Sequence, residues 1–317
     1  MIEVARPGLL STIQDEGRPG YLAFGMPLAG AMDAEAYALA NLLAGNAPGA
    51  AAIEMTLLGA TFRFEEDAYV GIAGADMQAT LDGEPVAAGS AFLVRQGAAL
   101  AFSAAREGCR GYLAVHGGID VPPFLGSRST YARGAVGGLH GRPLAAGDRI
   151  PIAEAPPPPP ARALLPRDLP RHGGPITLRV MLGPQDHRFA PEGLAAFLGS
   201  AYAVTNRNDR MGYRLEGPAI RHADGADIVS DALLPGAVQV PGSGTPIVMM
   251  ADAQTVGGYA KIATVIAADL PRLAQARRGD TVRFARCSHA GAVKALEAAR
   301  ARRAAVARRL EATWHAP

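Results

Sequence analysis

Along this chain, apolar and polar residues alternate in short runs far more often than they recur at helical spacing. That pattern predicts many brief strands and few helices. In the first half, strands are expected at Ile2–Val4, Leu9–Ile13, Ile53–Thr56, Phe62–Phe64, Tyr69–Ala73, Leu100–Ser103 and Arg110–Val115. Asp82-Gly83 inside Ala79–Val94 is a hairpin signal, because both turn residues tolerate a left-handed backbone. The two-residue period puts Glu54 and Thr56 on one face of their strand. One helix interrupts the meander. Asp33 is its N-cap, Ala34–Leu43 its body with Leu39, Leu42 and Leu43 on the apolar face, and Gly45 its stop.

The second half repeats the alternation. Strands are expected at Ile176–Leu182, Tyr202–Val204 and Gly212–Leu215, with a hairpin of Ala237–Val240 and Ile247–Met250 across Pro241–Gly244. Pro191–Gly199 reads as a short helix, and Asp269 as the cap of another with Pro271 in its first turn. Gly147-Asp148 and Gly279-Asp280 each turn into a closing strand, so the halves read as two similar β-barrels. Between them Pro156–Pro160 cannot enter a sheet interior and should be extended polyproline. The expected division is a first β-barrel at 1–154, a proline-rich linker at 155–175, a second barrel at 176–288 and a helical tail at 289–317. In the tail Val293, Leu296, Val306 and Leu310 fall near helical spacing among arginines. That face packs on its own domain or, as a basic helix, touches nucleic acid.

Composition narrows the function. A net charge of +2 is too mild to argue for nucleic acid as a partner. No basic-then-apolar start reads as a signal peptide, and no apolar run approaches the roughly 20 residues of a membrane helix, so a cytoplasmic location without membrane contact is expected. Cys109 and Cys287 are isolated, and the histidines show no metal-ligand spacing. No phosphate loop ending in Gly-Lys-Ser/Thr and no Gly-x-Ser-x-Gly elbow occurs. The chain therefore carries neither a recognisable nucleotide loop nor a self-contained hydrolase nucleophile.

Candidate chemistry concentrates between Asn208 and Asp269, where amides and charges alternate with glycines and short apolar runs. Of the 31 Lys+Arg residues only Lys261 and Lys294 are lysines. Lys261 follows Gly257-Gly258-Tyr259, read as a turn, and is either a compact donor in a site or a surface lysine. Asp209, Arg210 and Glu216 are either site groups or an ion-pair network. In the first half, Ser127 and Arg128 belong to a hydroxyl-rich stretch, Leu125–Tyr131, suited to a carboxylate or phosphate. His116 at a strand end is an acid/base group or a structural histidine, and Asp15 with Arg18 orients a ligand or pairs within its turn.

Ordered motifs over nearly the whole chain to about Arg286 resemble one family. Its members are called the C subunit of 5-oxoprolinase, KipA, allophanate hydrolase subunit 2 or biotin-dependent carboxyltransferase. The motifs are Thr12–Asp15 with Gly17-Arg18, Gly30–Asp33, Gly117–Pro122, Leu125–Tyr131, Gly183–Gln185, Asp209–Pro218, Val238–Pro241 and Gln254–Thr264. The resemblance implies a mainly β fold of two cyclophilin-like β-barrel domains. It implies work beside a B-like (KipI-type) protein and an A-like protein, opening 5-oxoproline to glutamate with ATP at the level of the complex. A similar module carboxylates urea from carboxybiotin, and another similar protein antagonises an inhibitor of a histidine kinase. Biotin would have to arrive on another chain, since no Met-Lys-Met-type acceptor is present. With a lactam or amide substrate, Lys261, Arg210 and Gln254 are the expected catalytic groups. Gln239, Thr255, Gly257, Gly258, Tyr259, Asp209, Tyr213, Arg128 and Ser127 are the expected substrate contacts. Ala253 and Ala260 stand where the family commonly has arginine and proline.

Overall fold

The computed structural model describes residues 1–170 and 172–314, so the last three positions of the expected 289–317 tail lie outside the described residues. The chain is mainly β and divides into two units. The first holds Met1–Arg18, Ala29–His172 and the stretch from Ala301, and the second Pro19–Leu28 and Gly173–Arg300.

The first unit is built from β1 (Ile2–Arg6), β2 (Leu10–Gln14), β3 (Ala52–Thr56), β4 (Thr61–Phe64), β5 (Ala68–Asp76) and β6 (Thr80–Leu81). The rest are β7 (Glu84–Pro85), β8 (Ser90–Val94), β9 (Ala99–Ala101), β10 (Glu107–Val115), β11 (Arg149–Ile150) and β12 (Arg162–Ala163). They form two six-stranded sheets, ordered β11-β1-β4-β9-β6-β7 and β12-β8-β5-β10-β3-β2. Alternation decides what each face buries. Ile53, Met55, Val70, Ile72, Leu113 and Val115 point inward to meet Ile2, Val4, Phe62, Phe64 and Leu100 of the other sheet. The intervening Ala52, Tyr69, Ala73, Tyr112 and Ala114 point outward, under α1 (Ala34–Ala44). Gly71 lets α1 approach, because a Cβ there would stand 2.4 Å from the Ala40 carbonyl. Asp33 caps α1 as expected, its carboxylate accepting from the N–H groups of Glu35 and Ala36.

Two expectations change here. Among the described residues only the second unit closes as a hydrogen-bonded ring; three of the first unit's four end strands, β7, β11 and β12, are two residues long. Pro85 in β7 also lacks the N–H that would pass the ladder onward. The stretch expected to be a linker is partly tied down. Arg162 pairs with Ala91 in register, Leu164 is buried, and the Tyr69 hydroxyl donates to the Pro160 carbonyl at 2.6 Å. Arg162 also donates to the Leu42 and Leu43 carbonyls at the end of α1, at 2.5 and 2.9 Å.

The second unit adds β13 (Ile176–Leu182), β14 (Ala201–Val204), β15 (Gly212–Glu216), β16 (Asp227–Ala232) and β17 (Ala237–Gln239). It continues with β18 (Ile247–Met249), β19 (Val256–Tyr259), β20 (Lys261–Val265) and β21 (Thr281–Arg286). Seven close a barrel in the order β13-β20-β17-β18-β15-β14-β21, while β16 and β19 form a separate two-stranded ribbon. The barrel interior holds Leu178, Val180, Tyr202, Val238, Val248, Val265 and Val282, all fully or nearly fully buried. Helix α2 (Pro191–Gly199) starts with proline at its first position and buries Phe197, whose ring stacks on Phe284 at 4.4 Å. Helix α3 (Leu270–Ala274) lacks the expected side-chain cap. Asp269 instead takes Arg179, accepting from its backbone N–H at 2.8 Å and its guanidinium at 2.6 and 2.9 Å. Helix α4 (His289–Trp314) buries Val306 and Leu310 against the α1 cluster of the first unit, whereas Val293 is exposed.

Candidate functional site

The site is built where the ribbon becomes the barrel. β19 runs into β20 with only Ala260 between them, so Lys261 is the first barrel residue. The expected Gly-Gly-Tyr turn does not exist. Val256–Tyr259 is a strand antiparallel to β16, with Gly257 opposite Asp231, and neither glycine takes a positive φ. Val256 and Tyr259 at the strand ends favour the extended state over a turn.

Lys261 is buried, and its ammonium is fixed by two acceptors. Nζ donates to Asp231 Oδ2 at 2.5 Å and to the Ala232 carbonyl at 2.7 Å. Gln185, just after β13, ties the pair together: its Nε2 donates to the same Asp231 oxygen at 3.0 Å, and its Oε1 accepts from the Lys261 N–H at 3.1 Å. Asp231 Oδ1 accepts from the Ala232 N–H at 2.8 Å. The Lys261 hydrogen bond first, then those of Ala232 and Gln185, hold the Asp231 carboxyl below its ordinary range.

Gln239 is buried on β17 opposite Lys261, and its Nε2 donates to the Tyr259 carbonyl at 3.4 Å. Gly257 makes room for it: a Cβ there would lie 2.6 Å from Gln239 Nε2 and 2.7 Å from Leu233 Cδ1. At Gly258 the nearest atom would be 3.6 Å away, an ordinary contact. At the ribbon root the Thr255 carbonyl accepts from the Leu233 N–H at 2.9 Å. Beside it, Gln254 Oε1 is buried and accepts no hydrogen bond. A buried acceptor left unmade costs about 1–3 kcal/mol, which marks it as a place where a ligand donor is wanted.

Other expected site residues are engaged elsewhere. Arg210 is buried and forms a bidentate pair with Asp252, Nε–Oδ2 2.9 Å and Nη2–Oδ1 3.0 Å, so its charge is balanced within the chain. Asp209 is exposed and accepts from the N–H groups of Met211 and Gly212, an Asx turn. The Tyr213 hydroxyl lies 3.3 Å from the Ala274 and Ala276 carbonyls in the core. Ser127 and Arg128 sit in the first unit, and the anion their stretch surrounds is the chain's own Asp15. Its carboxylate accepts from Ser127 Oγ at 2.6 Å, Ser129 Oγ at 2.5 Å, the Gly17 N–H at 2.8 Å and the Arg128 N–H at 2.5 Å. The Arg128 guanidinium donates to the Val121 carbonyl at 2.9 Å. His116 has its ring nitrogens 2.8 and 2.9 Å from the Ala44 and Pro156 carbonyls, a structural clasp on the proline run.

Two residues of the site have no clear signal in the sequence. Asp231 lies in a polar stretch, Asp227–Ala232, whose alternation carries no hydrophobic face, and its partner is 30 positions away. Gln185 is legible as part of Gly183-Pro184-Gln185, but nothing in that motif gives it a role.

The family model described as carboxyltransferase domain, subdomain A and B, matches residues 24–286. The C subunit of the Escherichia coli 5-oxoprolinase is 40% identical over 301 residues, 93% of this chain and 94% of that protein. The protein of the same name from Haemophilus influenzae is 38% identical, covering 96% and 94%. Among solved structures, the urea amidolyase of K. lactis superimposes with a TM-score of 0.91 at 30% identity, covering 95% of this chain but 20% of that one.

Proposed function

Because the chain belongs to the carboxyltransferase-domain family, we propose that it is the C subunit of an ATP-dependent 5-oxoprolinase, working with A-like and B-like subunits in the cytoplasm. The observation that supports this most is the end-to-end match to two proteins named as the C subunit of 5-oxoprolinase, with over nine tenths of both chains covered each time. The chain spans only a fifth of the K. lactis urea amidolyase.

The groups near the ribbon suit an amide. Lys261 Nζ has one N–H beyond those given to Asp231 and Ala232, a donor for a lactam carbonyl oxygen. Gln254 Oε1 is the acceptor for a lactam N–H. Gln239, Thr255 and Tyr259 shape the surroundings. A preorganised donor of this kind holds the lactam carbonyl in one orientation.

The residues do not fit a triphosphate cradle. Gly257 and Gly258 are strand residues, and Arg210 is neutralised by Asp252. We therefore propose that ATP, which activates the lactam oxygen, binds elsewhere in the complex. A second reading, transfer of a carboxyl group to a urea-like amide, draws on the family description and the K. lactis superposition. It needs biotin carried by another chain. The test is ATP-dependent glutamate release from 5-oxoproline by the reconstituted three-subunit complex, against bicarbonate-dependent carboxylation of urea with a biotinylated partner. Activity only in the second assay would overturn the first reading.

A further inference from the structure

Both buried cations of the second unit have a carboxylate built beside them. Lys261 has Asp231 at 2.5 Å, and Arg210 has Asp252 at 2.9 and 3.0 Å. An anion arriving at Lys261 would have to displace Asp231, whose remaining contacts with Gln185 and the Ala232 N–H keep it in place. A neutral acceptor needs no displacement. Two of the three ammonium N–H groups are occupied, and the third is directed by the other two. Gln185 fixes the geometry from both ends, accepting from the Lys261 backbone and donating to the Asp231 carboxylate.

We propose that Asp231 and Gln185 are positioning residues that hold Lys261 as a directional donor to an uncharged amide carbonyl, and that this locus does not grip a phosphoryl or carboxylate group. The inference rests on the reading of Lys261 as a site residue and extends it to the charge class of the group it meets. Asp231 does two jobs. It cancels the ammonium charge, which removes the attraction for free anions, and it sets the direction of the remaining N–H. Its side chain is half exposed on the ribbon face while the Lys261 side chain is 6% exposed, so the acceptor approaches from the Asp231 side.

The sequence supplies an unusual handle for the test. With Lys261 and Lys294 the only lysines, a chain labelled with 15N-lysine has two side-chain ammonium signals, and Lys261→Ala assigns them. In the isolated chain, inorganic phosphate is expected to leave the Lys261 signal unmoved and to shift it saturably only in Asp231→Asn. A saturable shift in the unmodified chain would overturn the inference. In the assembled complex, Asp231→Asn and Gln185→Ala should keep the melting temperature and lower kcat about 10- to 100-fold, the scale of a misplaced donor. KM for 5-oxoproline should stay within about twofold, and Asp231→Glu should recover part of kcat. If Asp231 only supports the fold, melting temperature and activity fall together and Asp231→Glu recovers neither. If Lys261 grips an anion, Asp231→Asn lowers KM and strengthens phosphate inhibition. The phosphate titration needs no partner subunit, so failure of the 5-oxoprolinase reading and failure of this inference are read separately.

Discussion

At the scale of single residues, this molecule shows how partner identity decides what a charged side chain is for. Lys261 and Arg210 are both candidate site cations in the sequence. The fold gives Arg210 a buried bidentate carboxylate and leaves Lys261 with an N–H to offer. The two substitutions should therefore behave differently. Arg210→Ala strands the buried Asp252 carboxylate and is expected to cost about 3–5 kcal/mol of stability, read as a lower denaturation midpoint. Full stability in that variant would remove the structural assignment. Lys261→Ala should leave the complex folded and cut turnover about 10²- to 10³-fold, with Lys261→Arg a poor substitute because a planar fork does not replace a point donor.

The same pair makes a pH prediction. Lys261 holds the Asp231 carboxyl below its ordinary value of 3.8. A depressed acid contributes stability that is fully present above the ordinary value and is lost as pH falls through the lower, folded-state value. Lys261→Ala should therefore move the Asp231 titration upward in a carboxyl-carbon NMR experiment. An unmoved titration would mean that the pair does not form in solution. The residue types of the candidate site stand out in the sequence because few lysines and glutamines are available in this region. The pairings do not, because Asp231 and Asp252 lie 30 and 42 positions from their partners and come to them through the pairing of β16 with β19 and of β15 with β18.

At the scale of elements, local signals were readable wherever the physics is local. The Asp33 cap, the Gly45 stop and the alternation in β3, β5 and β10 follow from backbone geometry within a few residues. The ribbon was not readable, because β16 has almost no apolar face and exists through pairing with β19. Gly257-Gly258 misleads for the same reason: two glycines suit a turn unless a partner strand stabilises the extended form. The ribbon yields a paired test. A Cβ at Gly257 would stand 2.6 Å from Gln239 Nε2, so Gly257→Ala should push the Gln239 amide aside and lower activity, at a stability cost of about 1 kcal/mol. Gly258→Ala meets nothing closer than 3.6 Å and should fold and melt like the parent. Equal tolerance at both positions would contradict the packing described around Gln239.

At the scale of the whole molecule, the proline run signals a boundary but not its position. Strand β12, buried Leu164 and the clasps on Pro156 and Pro160 hold the earlier part of the expected linker, and the contact division falls at His172 and Gly173. We expect limited proteolysis to cut first between Asp168 and Pro175, with fragment masses locating the site. First cleavage within Pro156–Arg162 would mean that those contacts do not persist in solution. The mainly β character of both halves was legible from alternation. The second barrel was expected and closes; the open pair of sheets in the first unit was not legible, since closure depends on the length of end strands that alternation does not specify.

The central claim is that this chain contributes an amide-binding component to a 5-oxoprolinase and has no activity by itself. The most direct measurement is glutamate release from 5-oxoproline with ATP, compared for the purified chain, for A-like and B-like subunits without it, and for all three together. The account predicts turnover only in the third case, lost again when the chain carries Lys261→Ala in a folded complex. Robust turnover by the chain alone, or by the other two subunits without it, would contradict the claim.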